Sequence, residues 1–373
     1  MQEPIKQKSL LGLDLQELTE LVEAVNQPAY RARQFFRALY SERVTSAEQI
    51  STLPRGLREE LSRQGVSIGL PTIERRFVSC DGTVRYLIQL ADGETIETVW
   101  MPEGDGGENG DGSDADETSA GLSGRWERAT ICISSQSGCA VNCQFCLTAL
   151  LGIKRNLEAG EMVGQVLAVL RDRNVSPPVN RVNLVFMGMG EPFLNYENFI
   201  KSVRLLVEGV GIPPSRMTVS TAGIVPRIYD MGEEDIRPKL AISLNAPNDT
   251  LRERLMPINR KWNLERLMDA ARNFPLRSRE RLTFEYVLLK DTNDQREHAR
   301  ELAELVRGIS CKVNLIAWNP GPGVPFGMPD EDVVFEFQKI LRQAGVPTFI
   351  RRPRGRDIFA ACGQLKRTVE AVT

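Results

Sequence analysis

The period of the apolar positions changes along the chain. Up to about residue 70 they recur every three to four residues, in DLQELTELVEAV, in YRARQFFRALYSER after the break at Pro28, in AEQI and in PRGLREELSRQG, and this spacing predicts helices. Strand patterns follow: RRFVSC and VRYLIQL flank an Asp81-Gly82 turn, and TIETVWMP follows an Asp92-Gly93 turn. From about residue 129 strands and helices alternate. The predicted strands are TICISS, RVNLVFM, RMTVST, KLAISLN, RLTFEYVLL, KVNLIAW and TFIRR, and the helices between them include EMVGQVLAVLRD, NFIKSVRLLVEG, LERLMDAARNF, EHARELAELVRG and DVVFEFQKILRQAG. Such alternation predicts parallel βαβ units with right-handed crossovers, an α/β fold. The units number about six, too few for a closed eight-fold barrel, and their chemistry is expected at the carboxyl ends of the strands. The division expected is a helical amino-terminal domain over 1–70, a β segment and linker over 71–128, and a βα domain over 129–373.

Length and composition agree with this division. At roughly 150 residues per domain, 373 residues suggest two domains, and 42% hydrophobic with 26% charged residues is ordinary for a folded chain. No apolar run reaches the roughly 20 residues of a membrane-spanning helix, and MQEPIKQKSLLGLDL lacks the layout of a signal peptide, so a cytoplasmic protein is expected.

Charge changes the picture once it is localised. The 47 basic and 49 acidic residues sum to −2. Seven of the acids (Glu103, Asp105, Glu108, Asp111, Asp114, Asp116, Glu117) fall in the Gly- and Asp-rich stretch 103–124, which reads as a mobile surface insertion, and without them the balance is +5. Residues 251–281 hold nine bases against four acids, and Arg351, Arg352, Arg354 and Arg356 lie within six positions, so a polyanionic partner is compatible with the sequence, as are solvated helix faces. The single histidine, His298 in a helical stretch, leaves a Ser-His-Asp triad, an HExxH zinc site or a His-rich iron site without their residues.

Seven cysteines in a chain without a secretion pattern argue against a disulfide framework. Cys139, Cys143 and Cys146 form CxxxCxxC on the loop after the first strand of the βα repeat, among polar Asn142 and Gln144. Three thiolates can hold three irons of a four-iron cluster and leave one iron open to a small molecule. A structural zinc with Cys132 as fourth ligand is the alternative, but the gap from Cys132 to Cys139 fits paired zinc ligands poorly. Cys362 in AACGQL follows the arginine cluster, where cationic neighbours and a helix start would favour a nucleophilic thiolate; a small buried cysteine beside Ala360 and Ala361 fits the residues equally well. Cys80 and Cys311 read as core residues.

CxxxCxxC in this position resembles the radical S-adenosylmethionine (SAM) superfamily. SSQSGCAVNCQFC, GIKRNL, FMGMGEPFLN, SLNAPND, LRERLMPIN and RRPRGRDIFAACGQL resemble, nearly end to end, the bacterial dual-specificity 23S rRNA/tRNA adenine-C2 methyltransferases of the RlmN family, as do PAYRARQFFRALY and IETVWMP. Only the acidic insertion is foreign to that pattern.

The resemblance implies a partial (β/α)6-type radical SAM barrel with a small RNA-engaging amino-terminal domain. It also implies one [4Fe-4S] cluster ligated by Cys139, Cys143 and Cys146 and open to SAM. Cys362 would take a methyl group from one SAM, and reductive cleavage of a second would give a deoxyadenosyl radical that removes a hydrogen from that methyl. The carbon radical would add to C2 of adenine, a carbon too electron-poor for ordinary displacement. Glu97 would accept the C2 proton, and Cys132 would resolve the adduct through a transient disulfide with Cys362. Without the resemblance Glu97 reads as a solvent-facing strand residue and Cys132 as an inward strand residue between Ile131 and Ile133. The implied SAM contacts are Gly190 and Glu191 in MGMGEP, Ser220 in VSTAG, Ser243, Leu244 and Asn245 in SLNAP, and Asn319 in AWNPG. Asn245 departs from the family pattern, in which a histidine is expected. Partners implied are 23S rRNA at a peptidyl-transferase-centre adenosine, tRNA at the adenosine 3′ of the anticodon, and an electron donor such as a flavodoxin, with the chain acting as a monomer. Basic stretches 251–281 and Arg351–Arg356 would supply phosphate contacts. The related C8-methylating resistance enzymes and a non-enzymatic RNA-binding protein with a four-cysteine metal centre are the alternatives.

Overall fold

The computed structural model describes residues 9–102, 128–177, 179–351, 353–361 and 363–365. The helical start is α1 (Leu15–Ala24), α2 (Tyr30–Phe36), continued by a wide turn over Arg37–Ser41, and α3 (Arg55–Arg63). Asp14 caps α1 reciprocally: its Oδ1 accepts from the Glu17 amide at 2.9 Å, and Glu17 Oε2 accepts from the Asp14 amide at 2.8 Å.

A ten-stranded sheet follows. Its antiparallel part is β1 (Thr72–Val78), β2 (Val84–Gln89) and β3 (Thr95–Pro102), and β3 pairs antiparallel with β4 (Arg128–Cys132). A small hairpin, β5 (Gln136–Gly138) and β6 (Ile153–Asn156), brackets the cysteine loop. The parallel part then runs α4 (Ala159–Asp172), β7 (Arg181–Phe186), α5 (Tyr196–Glu208), β8 (Met217–Thr221), α6 (Val225–Gly232), β9 (Lys239–Ser243), α7 (Asp249–Leu255), α8 (Leu264–Asn273), β10 (Leu282–Leu288), α9 (Arg296–Leu305), β11 (Cys311–Ala317), α10 (Glu331–Gln343) and β12 (Thr348–Arg351). The sheet order is β1-β2-β3-β4-β7-β8-β9-β10-β11-β12, so six strand-helix units and a closing strand curl around a common face, as a partial barrel. The three strands preceding residue 103 thus extend the barrel sheet itself. A purely sequential reading places them in a linker, because pairing partners are not written in periodicity.

The parallel strands are apolar on the face that the helices cover, with Leu184, Val219, Ile242, Phe284 and Val313 in the core, while the face that lines the interior carries polar side chains such as Thr218, Thr283, Glu285 and Asn314. Alternation sets the two faces: Ile131 and Ile133 are fully buried against the helices, while Cys132 faces the interior. The helical start packs on α4 and α5 by close backbone approach. A Cβ on Gly160 would meet the Leu11 carbonyl oxygen at 2.2 Å, and one on Gly209 would meet the Tyr40 Cβ at 2.5 Å. The Tyr40 hydroxyl accepts from the Gly12 amide (3.0 Å) and donates to the Leu13 carbonyl (2.7 Å), and Lys201 of α5 pairs with Glu17 at 2.6 Å. Among the described residues no helix is long and apolar enough to cross a membrane. Of the two cysteines expected in the core, Cys311 is buried but Cys80 is exposed, because it falls on the β1-β2 turn, where no second layer covers it. His298 is half-buried in the first turn of α9, its Nδ1 accepting from the Gln295 amide at 3.3 Å.

Candidate active site

The loop after β4 is fixed by its backbone. The Cys139 amide donates to the Gly152 carbonyl (3.0 Å), the Cys146 amide to the Cys143 carbonyl (3.1 Å) and the Gln144 amide to the Leu255 carbonyl (2.9 Å), while Trp318 Nε1 donates to the Phe145 carbonyl (2.9 Å). Asn142 takes the left-handed conformation (φ 59°) the tight path needs. Cys139, Cys143 and Cys146 all pack against one apolar nest that includes Val141, Phe145, Met256 and Trp318. Burial pushes the Cys139 thiol up to about 12 and raises that of Cys143 well above its ordinary value; the fields of the neighbouring thiolates add to both. Among the described residues no three Cys, His, Asp or Glu side chains close on a single point as they would around a bound ion. The donor set nonetheless suits an iron–sulfur cluster, since three thiols near enough to couple share a pocket in which a cationic centre would offset the cost of their ionisation.

A cavity of about 1020 Å3 occupies the barrel interior, and Cys146, Cys132, Glu285, Asn319, Arg351 and Arg354 line it at the carboxyl end of the strands. This exceeds the roughly 300–1,000 Å3 of single small-molecule sites, leaving room for SAM and a nucleotide together. Cys132 lies opposite Val99 of β3 and Val185 of β7. On β3, Glu97 shares the face of Val99 and hence of Cys132. Glu97 is fully buried in an ion pair with Arg85, whose guanidinium lies 4.2 Å from the Phe77 ring centre. It is therefore not the solvent-facing strand residue that the sequence alone suggests: it is enclosed, because β2 and β4 flank β3, and a cation from the neighbouring strand stands beside it.

Cys362 lies outside the described residues, as does Arg352. The residues on either side of Cys362, Ala361 and Gly363, line the cavity. This carboxyl-terminal segment is anchored at several points: the Gly363 and Leu365 carbonyls accept from the Leu147 amide and the Thr148 hydroxyl (both 2.8 Å), Gln364 Nε2 donates to the Pro320 carbonyl (3.0 Å), and Asp357 accepts from the Ser79 hydroxyl (2.6 Å) and the Cys80 amide (3.2 Å) at the β1-β2 turn.

The remaining predicted residues cluster at the strand ends. Gly190 has φ 103°, and a Cβ there would meet the Gln136 amide at 2.7 Å, so only glycine fits this approach. Burial pushes the Glu191 carboxyl up to about 7 despite its hydrogen bonds from the Ala222 (2.7 Å) and Phe193 (3.0 Å) amides. The Ser220 and Ser243 hydroxyls are 3.0 Å apart, and Ser220 donates to Glu285 Oε2 at 2.8 Å. Leu244 is wholly buried, its amide donating to the Glu285 carbonyl at 2.9 Å. Asn245, at φ 59°, accepts from the Val287 amide through Oδ1 at 2.9 Å, tying β9 to β10. Asn319 Oδ1 accepts from Arg356 Nε at 2.7 Å, while its buried Nδ2 has no partner and is available to a ligand.

Two residues escape a reading of the sequence. Glu285, inside the apolar run RLTFEYVLL, faces the interior; burial raises its carboxyl above the ordinary range, against the Ser220 hydrogen bond and the field of Arg351. Arg252, counted in the basic stretch as an RNA contact, is instead fully buried, donating to the carbonyls of Leu244 (3.1 Å) and Ala222 (2.7 Å) and to Asn259 Oδ1 (2.9 Å). It braces the strand ends, which removes it from any surface contact.

Two family models match the chain: the radical SAM superfamily over residues 133–303 and the ribosomal RNA large subunit methyltransferase N-terminal domain over residues 8–66. The probable dual-specificity RNA methyltransferase RlmN of Koribacter versatilis is 64% identical over 352 residues, covering 94% of this chain and 99% of that protein. The dual-specificity RNA methyltransferase RlmN of Campylobacter concisus is 44% identical, covering 97% of this chain and 92% of that protein. The crystal structure of a radical SAM methyltransferase from Sphaerobacter thermophilus superposes with a TM-score of 0.85 at 42% identity, covering 96% of this chain and 99% of the other. With a radical SAM fold, the matching amino-terminal domain and relatives of this identity over nearly its whole length, the chain belongs to the RlmN family of dual-specificity RNA methyltransferases.

Proposed function

We propose that this protein methylates C2 of adenine in 23S rRNA, at a peptidyl-transferase-centre adenosine, and in tRNA, at the adenosine 3′ of the anticodon. Cys139, Cys143 and Cys146 hold a [4Fe-4S] cluster, and Glu191, Gly190, Ser220, Ser243, Leu244, Asn245 and Asn319 surround SAM. Bound together, cluster and SAM supply the radical chemistry that an electron-poor ring carbon requires. Cys362 carries the methyl group, Glu97 takes the C2 proton, and the Cys132 thiolate attacks the Cys362 sulfur so that the product leaves as a disulfide forms. The observation supporting this reading most is the shared cavity that Cys132, Cys146, Asn319 and both neighbours of Cys362 line. With the resolving thiol, the cluster loop and the neighbours of the carrier on one chamber, the steps could follow on one base without its release. The reading includes a domain division at residues 70 and 128, a monomer, a cytoplasmic location and a one-electron donor such as a flavodoxin.

Two cysteine variants and one labelled substrate test it. Cys139→Ala should lose iron, whereas Cys132→Ala should keep it and accumulate an RNA covalently bound through the Cys362 peptide. Equal iron loss in both would favour a four-cysteine metal centre. RNA deuterated at adenine C2 should lose its deuterium on methylation; retention would point to C8 instead.

A further inference from the structure

The cavity does not end at the reaction chamber. It runs through the barrel to the amino-terminal ends of the strands, the end opposite the cysteine loop, and there its lining turns basic. Six consecutive parallel strands each bring a cation to the same level. Arg128 opens β4 and faces Arg181 of β7 in register, Arg216 immediately precedes β8, Lys239 opens β9, Arg281 immediately precedes β10, and Lys312 is the second residue of β11. Arg128, Arg216, Lys239, Arg281 and Lys312 line the cavity wall, and Arg181 has the inward parity of Asn183, which also lines it. Among the described residues the one carboxylate in this part of the lining, Glu280, is committed to a buried pair with Arg237 at 3.1 Å.

Above this rim the wall changes character. Two residues further along each strand the inward positions are neutral: Thr130, Asn183, Thr218, Thr283 and Asn314. Asn314 is 5% exposed and its Oδ1 has no hydrogen-bond partner, although a buried acceptor normally finds one. Its register partner on β12 is Phe349, whose ring also lines the cavity. Next along the wall come Cys132 on β4 and Glu285 on β10. From Arg128 to Cys132 is four residues of strand, roughly 13 Å.

We propose that RNA enters through this amino-terminal rim. The six cations hold the phosphates flanking the target nucleotide, and its unstacked base passes along the wall over Asn314 and Phe349 toward Cys132. The sequence of the wall matches a nucleotide end to end: cations for the backbone, then an aromatic face and an unsatisfied acceptor for a base bearing an exocyclic amine, then the resolving thiol of the reaction chamber. This inference rests on the proposed RNA methylation and adds the side from which the substrate comes.

The test measures RNA affinity of the holoenzyme, without turnover, against salt concentration. Every phosphate of a single strand that is no longer neutralised lowers the slope of log K against log salt by about 0.7, so the triple variant Arg181→Gln, Arg216→Gln, Arg281→Gln should reduce it by about two units. The corresponding triple lysine variant should restore most of the slope, which separates a missing cation from a damaged fold. A triple variant of Arg296 and Arg300 on α9 and Arg307 in the turn after it to Gln, equal in charge change, should leave it unaltered. Phe349→Leu should weaken binding without touching the slope. An unchanged slope in the rim variant, an equal loss in the α9 variant, or a loss confined to Arg354→Gln at the cysteine end would each overturn this route. A wild-type holoenzyme that binds RNA nowhere would instead overturn the function on which it rests.

Discussion

Arg252→Met offers the sharpest test of how the strand ends are held. The side chain is fully buried, and burial pulls its guanidinium down to about 10. Its removal leaves the Ala222 and Leu244 carbonyls and Asn259 Oδ1 without this donor, and with them the Ser243 carbonyl 3.3 Å from Nη2. Each buried acceptor left unsatisfied costs about 1–3 kcal/mol, which summed naively over four groups exceeds the effect expected. Against that sum stands the relief of no longer burying a charge, several kcal/mol in itself. A methionine of similar length can recover the packing, but three of the four partners are backbone and cannot be removed with the charge, so the hydrophobic replacement that rescues side-chain ion pairs does not apply here. The net expected loss is about 3–5 kcal/mol. With a urea m-value near 3 kcal/mol/M for a large domain, the unfolding midpoint should fall by about 1–1.7 M, followed by tryptophan fluorescence. Arg252→Lys, which keeps the charge but not the fork, should fall between. A shift below about 0.3 M would refute the bracing role, as would a reduced salt dependence of RNA binding with stability intact, the result expected of a surface phosphate contact.

Other perturbations probe other parts of the site. The Glu191 carboxyl is pushed from 4.5 to about 7 on folding, so the native state holds a proton that the unfolded state has lost across that window. The stability of the wild type relative to Glu191→Gln should therefore fall as pH rises from about 4.5 to 7, by on the order of 3 kcal/mol, and then level off; a pH-independent difference in chemical denaturation would contradict the shift. Asp357→Ala removes the contacts of the segment carrying Cys362 with Ser79 and Cys80, and should lower kcat on the order of 10-fold at unchanged iron content, because a reacting group displaced by an ångström loses up to about 100-fold. Gly160→Ala forces a Cβ against the Leu11 carbonyl oxygen, with backbone on both sides, and should cost about 1–3 kcal/mol or more in thermal unfolding; Gly56→Ala, which meets nothing within 4 Å on α3, should be neutral or slightly stabilising.

The parallel strands are legible in the sequence because short runs with Val, Ile and Leu at the helix-covered positions alternate with helical segments: RVNLVF, KLAIS and TFIR emerge at Arg181–Phe186, Lys239–Ser243 and Thr348–Arg351. The cysteine loop is legible because three thiols in eight residues have few structural explanations. Pairing is not legible. Nothing in RRFVSC or IETVWMP says that these strands continue the barrel sheet, or that Glu97 meets Arg85 across it. Buried charge is the other blind spot. Arg252 sits on α7 among Arg254, Glu253 and Asp249, a run that looks like a solvated face, and its burial follows only from α7 lying across the ends of β8 and β9. Glu285 looks like one polar residue in an apolar strand until register places it beside Ser243. Helix α6 escapes because Pro226 and its short length weaken the periodic signal, although proline near a helix start is favourable.

The glycine approaches between the helical start and α4 have a consequence for cooperativity. Leu10 and Leu11 are buried where Gly12 and Gly160 let two backbones touch, and Arg43 Nη1 reaches the Val175 carbonyl at 2.6 Å beyond α4. No linker slack intervenes at this seam, so the accessory helices and the first crossover of the barrel should exchange their amide hydrogens as one unit rather than two. A truncated barrel lacking the first 70 residues would uncover the Gly160 and Gly164 side of α4, on which Leu11 packs. The βα domain of this chain is thus not a module with a free surface at α4: whatever the helical start does for RNA, it also covers that helix.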